Sequence, residues 1–214
     1  MYKKYFKRLF DIIFSLGLII LLFPVMLLIF FLVWFIIGYP IFIQKRPGLN
    51  NKIFTIYKFK TLYDISKNVS EKKRQNKFGN FLRKTGLDEL PQLFNVLENK
   101  MSFVGPRPLL VEYLKKYSNY EKKRHLVKPG ITGLAQINPE PSGTKSWSKS
   151  IKFDIFYVSN VSFFLDIKIL FNTLMLVLFK KKQYEDFKKT YEKKISNYWC
   201  WWSWKGCWRN RFIE

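Results

Sequence analysis

Histidine occurs once in this 214-residue chain and cysteine twice, and acidic residues number only 15 against 38 lysines and arginines. Cys200 and Cys207 lack paired C-x-x-C spacing and His125 is far from both, so neither a zinc site nor a disulfide framework is supported. A reducing compartment is the default for such a chain. The scarcity of acid leaves a formal charge of +23, which draws phosphates, anionic lipids or nucleic acid to the folded surface. No nucleic-acid recognition motif accompanies the charge, so nucleic acid is set aside as a partner. Part of the excess reflects an alphabet rich in Lys, Ile and Phe, of the kind an AT-rich genome produces. The length suits one catalytic domain with appendages.

What the chain has in abundance is apolar sequence near its start. From Leu9 to Gly38 only Asp11 carries a charge, and the run exceeds the roughly 20 residues needed to cross a bilayer as a helix. It is too long for a signal peptide, and no small-residue cleavage site follows before Gln44-Lys45-Arg46. Pro24 falls mid-run, where it removes a helix hydrogen bond and predicts a kink. Lys3, Lys4, Lys7 and Arg8 precede the run while Lys45 and Arg46 follow it, so the positive-inside rule pulls both ends to the cytoplasmic face. A re-entrant helix bent at Pro24, with arms of about 14 residues, satisfies both ends. A straight span satisfies one, and central prolines do occur in true spans.

Beyond the apolar run the elements shorten. Lys52 to Leu62 (K-I-F-T-I-Y-K-F-K-T-L) reads as a strand or extended segment. Asp64 to Lys77 reads as a surface loop with helical fragments. Leu87, Leu90, Leu93, Phe94 and Leu97 fall at helical spacing after Gly86, which predicts a helix starting near Asp88 with Pro91 in its first turn. Asp88 and Glu89 then serve either as an N-terminal cap and dipole partner or as a reactive pair. The cations around them favour chemistry: Lys58, Lys60 and Thr61 precede the pair and Arg83 lies just upstream. Arg107, between Pro106 and Pro108, is a guanidinium on a stiff backbone, suited to bidentate phosphate binding or simply to a rigid solvated turn. His125 has no base partner in the sequence and reads as structural, and Pro129 to Gly133 as binding backbone. Ser162 to Phe179, followed by Lys180-Lys181-Lys182, predicts an amphipathic helix at the interface with lysines reaching anionic lipid headgroups, the alternative being a core helix with a basic end.

In order along the chain stand F-K-R-L-F-D, the proline of the apolar run, I-Q-K-R-P-G, Y-K-F-K-T, L-D-E-L-P-Q-L-F-N-V-L, M-S-F-V-G-P-R-P and H-L-V-K-P-G-I-T-G-L-A-Q. Each is a weak signal by itself, but the ordered set, over about Met1 to Lys180, resembles the monotopic phosphoglycosyl transferases, also called bacterial sugar transferases. The resemblance implies an α-dominated, membrane-associated domain with little β-sheet, a re-entrant helix kinked at Pro24 and amphipathic helices at the cytoplasmic face of the bacterial inner membrane. It also implies Mg²⁺ held by Asp88 and Glu89, a UDP-sugar donor and a polyprenyl (undecaprenyl) phosphate acceptor. Asp88 would attack the β-phosphorus, expel UMP and carry the phosphosugar as an acyl phosphate. Lys60, Thr61, Arg83 and Arg107 are the expected phosphate binders.

Three positions depart from the family pattern. Phe23 replaces the usual Ser before the proline, Leu62 the frequent Met after K-T, and Asn138-Pro139-Glu140 replaces N-G-R. The last exchanges an arginine for an acid, which bears on donor binding and motivates a second reading, a catalytically impaired relative or basic membrane scaffold. Tyr198 to Arg211 carries most of the tryptophans and fits no part of the family. Because Trp has the single codon TGG, the shifted frame reads Gly at each Trp, giving a string similar to the nucleotide-binding start of sugar acyltransferases. This marks 191–214 as an expected frameshifted tail, with a Trp-rich interfacial anchor as the alternative, and suggests an N-acylated amino sugar as substrate. The expected organisation is a membrane helix over 1–43, a catalytic domain over 44–190 and the tail.

Overall fold

The computed structural model describes residues 2–64, 70–138 and 147–178. Residues 1–173 form one compact unit; of the second, 174–214, only the end of the last helix is described. Pro139-Glu140 and the Trp-rich stretch lie outside the described residues, as do Lys180 to Lys182.

After a π-helical turn, Tyr2–Phe6, the apolar run forms a single helix α1, Lys7–Ile37, whose helical run is unbroken across Pro24. It stops at Gly38, whose φ of 104° is open to glycine and costly for other residues. Only a narrow stripe of α1 is buried, through Asp11, Ser15, Met26, Ile29, Val33 and Ile37. Leu, Ile, Phe and Trp cover the rest, with Leu21 and Phe35 72% and 83% exposed. In water that surface costs about 25 cal/mol per Å², whereas lipid removes the penalty. By length and composition α1 is sufficient to cross a membrane.

The buried stripe is fastened at both ends. Near its start, Arg8 donates to the carbonyls of Val96 (2.6 Å) and Leu97 (2.9 Å), the last of helix α4, Gln92–Leu97, where carbonyls otherwise lack partners. The buried Asp11 carboxylate accepts from Ser102 Oγ (3.0 Å) and the Phe103 N–H (3.1 Å). Toward its end, Met26, Ile29, Val33 and Ile37 pack with Phe59 and Leu82.

Strands β1, Ile41–Pro47, and β2, Ile53–Phe59, pair antiparallel from Ile41↔Phe59 to Pro47↔Ile53. Asn95, fully buried in α4, accepts from the Tyr57 N–H (3.1 Å) and donates to the Thr55 carbonyl (2.8 Å), so it satisfies the free edge of β2 and glues the helix to it. Helices α2, Glu71–Arg74, and α3, Lys77–Thr85, follow, α3 capped by Asn76 accepting from the Gly79 N–H (2.6 Å). The helix expected from Asp88 begins instead at Gln92: Gly86, left-handed at φ 73°, ends α3, and residues Leu87–Glu89 make a separate 3₁₀ turn before Pro91.

Strands β3, Ser102–Val104, and β4, Gly130–Thr132, pair in parallel, and α5, Trp147–Ser159, and α6, Phe163–Leu178, complete the described elements. In α6 the buried positions include Asp166 and Asn172, while Phe163 and Phe164 are exposed. Asp166 accepts from Tyr2 Oη (2.5 Å), Lys7 Nζ (2.5 Å) and Tyr157 Oη (2.6 Å). The fold is helix-rich with four short strands among the described residues, as the coarse expectation had it.

Where β3 and β4 meet, a Cβ on Gly130 would lie 2.1 Å from the Gly105 nitrogen, a backbone neighbour that cannot swing away. Gly130→Ala is expected to destabilise by roughly 1–3 kcal/mol, the usual cost of overpacking, seen as a lower Tm in detergent.

Candidate active site

The 3₁₀ turn after Gly86 is closed by the Glu89 N–H on the Gly86 carbonyl (3.1 Å) and the Leu90 N–H on that of Leu87 (3.3 Å). Leu87 and Leu90 pack against the Phe59 and Leu82 cluster, so apolar burial on either side pins the two carboxylates between them. Glu89 Oε1 receives Lys58 Nζ from β2 (2.6 Å) and Arg107 Nη2 from the Gly105–Pro108 turn (2.8 Å). Burial alone would raise its pKa, but Arg107 and Lys58 outweigh that and hold Glu89 below its ordinary 4.5.

Asp88 is 9% exposed, and no lysine or arginine forms a salt bridge with its carboxylate among the described residues; its own backbone N–H is the hydrogen bond that acts on it. Desolvation, joined by the charge of Glu89, lifts its pKa above the ordinary value against the opposing pull of Lys58 and Arg83. Two adjacent carboxylates are thus driven in opposite directions: one a committed anion, the other a desolvated group without a bonded cation. Pairs split in this way mark sites of acid–base or nucleophilic work.

Arg83 Nε donates to Thr61 Oγ1 (2.8 Å), which fixes the guanidinium whose charge reaches Asp88. Thr61 is locked in turn: its carbonyl accepts from Asn76 Nδ2 (3.2 Å), and a Cβ on Gly79 would come within 2.0 Å of that oxygen. Of the residues singled out in the sequence, the structure joins Glu89 to Arg107 directly and brings Asp88, Thr61 and Arg83 beside them. Lys60 does not join them; its ammonium is paired with Asp64. Lys58 takes the place at the carboxylate, and the signal was present in Y-K-F-K-T, because a period of two puts Lys58 and Lys60 on one face of an extended chain.

The Arg107 turn is held by its backbone: the Gly105 N–H donates to the Thr132 carbonyl (2.9 Å), the Gly130 N–H to that of Pro106 (3.1 Å) and Arg124 Nη2 to that of Arg107 (2.8 Å). His125 is buried beside Tyr117, their ring centroids 5.6 Å apart, and burial and the charge of Arg124 push its pKa down to about 4, so it is neutral at neutral pH. Among the described residues no group of three or more His, Cys, Asp or Glu could by itself hold a metal ion. Both cations on Glu89 sit on Oε1, which leaves Oε2 and the Asp88 carboxylate as oxygen donors. Such a pair suits Mg²⁺ only if phosphate oxygens complete the shell, its usual manner of binding.

Carboxylates shifted in opposite directions thus stand amid lysine and arginine, on a scaffold with a lipid-compatible helix. The chain belongs to the bacterial sugar transferase family, whose pattern it matches over residues 2–180, and it is an enzyme of that kind. It is 46% identical over 177 residues to an uncharacterized sugar transferase, EpsL, of Bacillus subtilis (strain 168), covering 80% of this chain and 87% of that protein. It is 41% identical over 192 residues to the UDP-glucose:undecaprenyl-phosphate glucose-1-phosphate transferase of Klebsiella pneumoniae, covering 84% of this chain and 41% of that protein. It is 34% identical over 197 residues to the undecaprenyl-phosphate galactose phosphotransferase of Salmonella typhimurium, over 82% and 41% respectively. The chain therefore spans most of EpsL but about two fifths of the other two.

The opposed pKa shifts have opposite consequences for stability. Glu89 is lowered, so its contribution is present above its unfolded pKa and lost as pH falls through the folded one; Asp88 is raised, so its ionisation costs stability once pH exceeds its unfolded value. At neutral pH Glu89→Gln is expected to lower Tm and Asp88→Asn to raise it, with both differences shrinking toward acid pH in thermal unfolding scans.

Proposed function

We propose that this enzyme transfers a sugar-1-phosphate from a UDP-sugar to polyprenyl phosphate at the cytoplasmic face of the bacterial inner membrane. The observation that carries the reading is an Asp88 carboxylate held by no cation beside a Glu89 that has taken up both Lys58 and Arg107. An Asp88 oxygen forms a bond to the β-phosphorus, the bond from that phosphorus to the bridging oxygen breaks, and UMP departs with the electron pair. A phosphate oxygen of the lipid acceptor then attacks the same phosphorus and releases Asp88. Arg107 and Lys58 provide fixed positive charge where the pyrophosphate would lie, and Arg83 provides it at the nucleophile, so like charges can approach in a site of low polarity. Asp88 and Glu89 would hold a Mg²⁺ ion, whose chemistry there would be neutralisation of the charge on the leaving UMP.

The membrane reading is supported by how α1 is held. At 1.5 Å per residue a helix of this length reaches about 45 Å, enough to pass through a hydrocarbon core of about 30 Å. Both of its ends nevertheless pack on the same unit, through Arg8 and Asp11 at one and Val33 and Ile37 at the other. A crossing would carry one of those surfaces to the far side of the bilayer. The re-entrant arrangement leaves both on one side, with Pro24 as the place for a bend, and the exposed faces of α1 and of Phe163 and Phe164 against lipid.

The relatives whose names specify a sugar act on glucose or galactose, while the alternative frame of the tail favours an N-acylated amino sugar, so the donor panel includes all three classes. With Mg²⁺ and undecaprenyl phosphate in detergent, UMP release from one donor is expected, and Asp88→Asn is expected to reduce it roughly 10³-fold or more. Retention of the donor's β-phosphate on the wild-type protein without acceptor, and its absence from the variant, would establish the acyl phosphate. A folded wild type that releases UMP from no donor favours the impaired-relative reading, which the Asn138-Pro139-Glu140 departure motivates.

A further inference from the structure

Arg124 is among the most completely enclosed charges of the described residues, at 2% exposure. Its Nε and Nη2 donate to Asp154 Oδ2 on α5 (3.1 and 2.6 Å), its Nη1 to Tyr117 Oη (2.7 Å) and its Nη2 also to the Arg107 carbonyl (2.8 Å). Enclosing an ion pair seldom stabilises a fold more than apolar side chains of the same volume would. The reason for this one lies in what it grips. Among the described residues Arg124 has a single backbone acceptor, the carbonyl of the residue whose guanidinium meets Glu89.

Arg107 needs that grip, because its own side chain is 44% exposed and packing does not fix it. Two hydrogen bonds with the β4 backbone, at Thr132 and Gly130, hold Gly105 and Pro106, which leaves the carbonyl side of Arg107 to Arg124. We propose that Arg124, backed by Asp154, is a positioning residue for sugar-phosphate transfer, setting the Gly105–Pro108 turn so that the Arg107 guanidinium stands at Glu89 and the donor pyrophosphate. This rests on the function proposed above.

The test replaces the ion pair as a unit, Arg124→Met/Asp154→Leu, so that no buried charge is stranded. UMP release and hydrogen exchange of the turn are measured on the full chain in detergent. The expected result is a Tm near that of wild type, faster exchange over 102–110, and kcat/KM lowered roughly 10- to 100-fold, the range a displaced binding group produces. In an Arg107→Ala background the same double replacement is expected to change kcat/KM less than twofold, because the group it positions is gone. Equal losses in both backgrounds, or unchanged exchange across the turn, would overturn the proposal. If the wild type releases UMP from no donor, the proposed reaction falls, while the exchange measurement still decides whether Arg124 orders the turn.

Discussion

One carboxylate oxygen, Glu89 Oε1, joins three separate stretches of chain: the turn after α3, the strand β2 through Lys58, and the Gly105–Pro108 turn through Arg107. The side chain is largely enclosed, and burial by itself favours the uncharged acid. With them it stays charged and organises the site. Asp88, one residue earlier, gains no such partner and remains a desolvated group of raised pKa. The asymmetry of the pair follows from where two cations were placed, and the other supports, Thr61 on Arg83 and Arg124 on the Arg107 carbonyl, hold cations in register with it.

The scaffold inverts the usual arrangement of polarity. On α1 and α6, Asp11, Ser15, Asp166 and Asn172 face inward, where several are hydrogen-bonded, while phenylalanine, leucine and isoleucine lie outward. In water this would be an unstable surface; against hydrocarbon, the inward hydrogen bonds become the adhesive and the outward side chains lose nothing. The candidate site and the lipid-compatible surface thereby belong to one unit.

The apolar run and its basic flanks were legible because length and charge alone carry that information. Asp88, Glu89, Arg83 and Arg107 were legible through their place in an ordered set of motifs. The hairpin was half legible: Lys52 to Leu62 shows an alternation, but I-F-I-Q-K-R-P in β1 continues an apolar run and hides its period. The start of α4 was misplaced because helical spacing of Leu87 and Leu90 persists through the 3₁₀ turn, whose burial they share. Lys58 was visible but undistinguished from Lys60 until a partner chose between them. The Arg124 and Asp154 pair was invisible, since nothing local announces a contact across 30 residues.

The order in which the parts are made matters as well. Lys7 and Tyr2 are synthesised well before their common partner Asp166, which follows 159 residues after Lys7. Until α6 has been synthesised, the ammonium of Lys7 lacks the carboxylate that fastens it, and so α1 is made long before this latch can close. A nascent chain halted before Asp166 keeps its apolar helix without this latch.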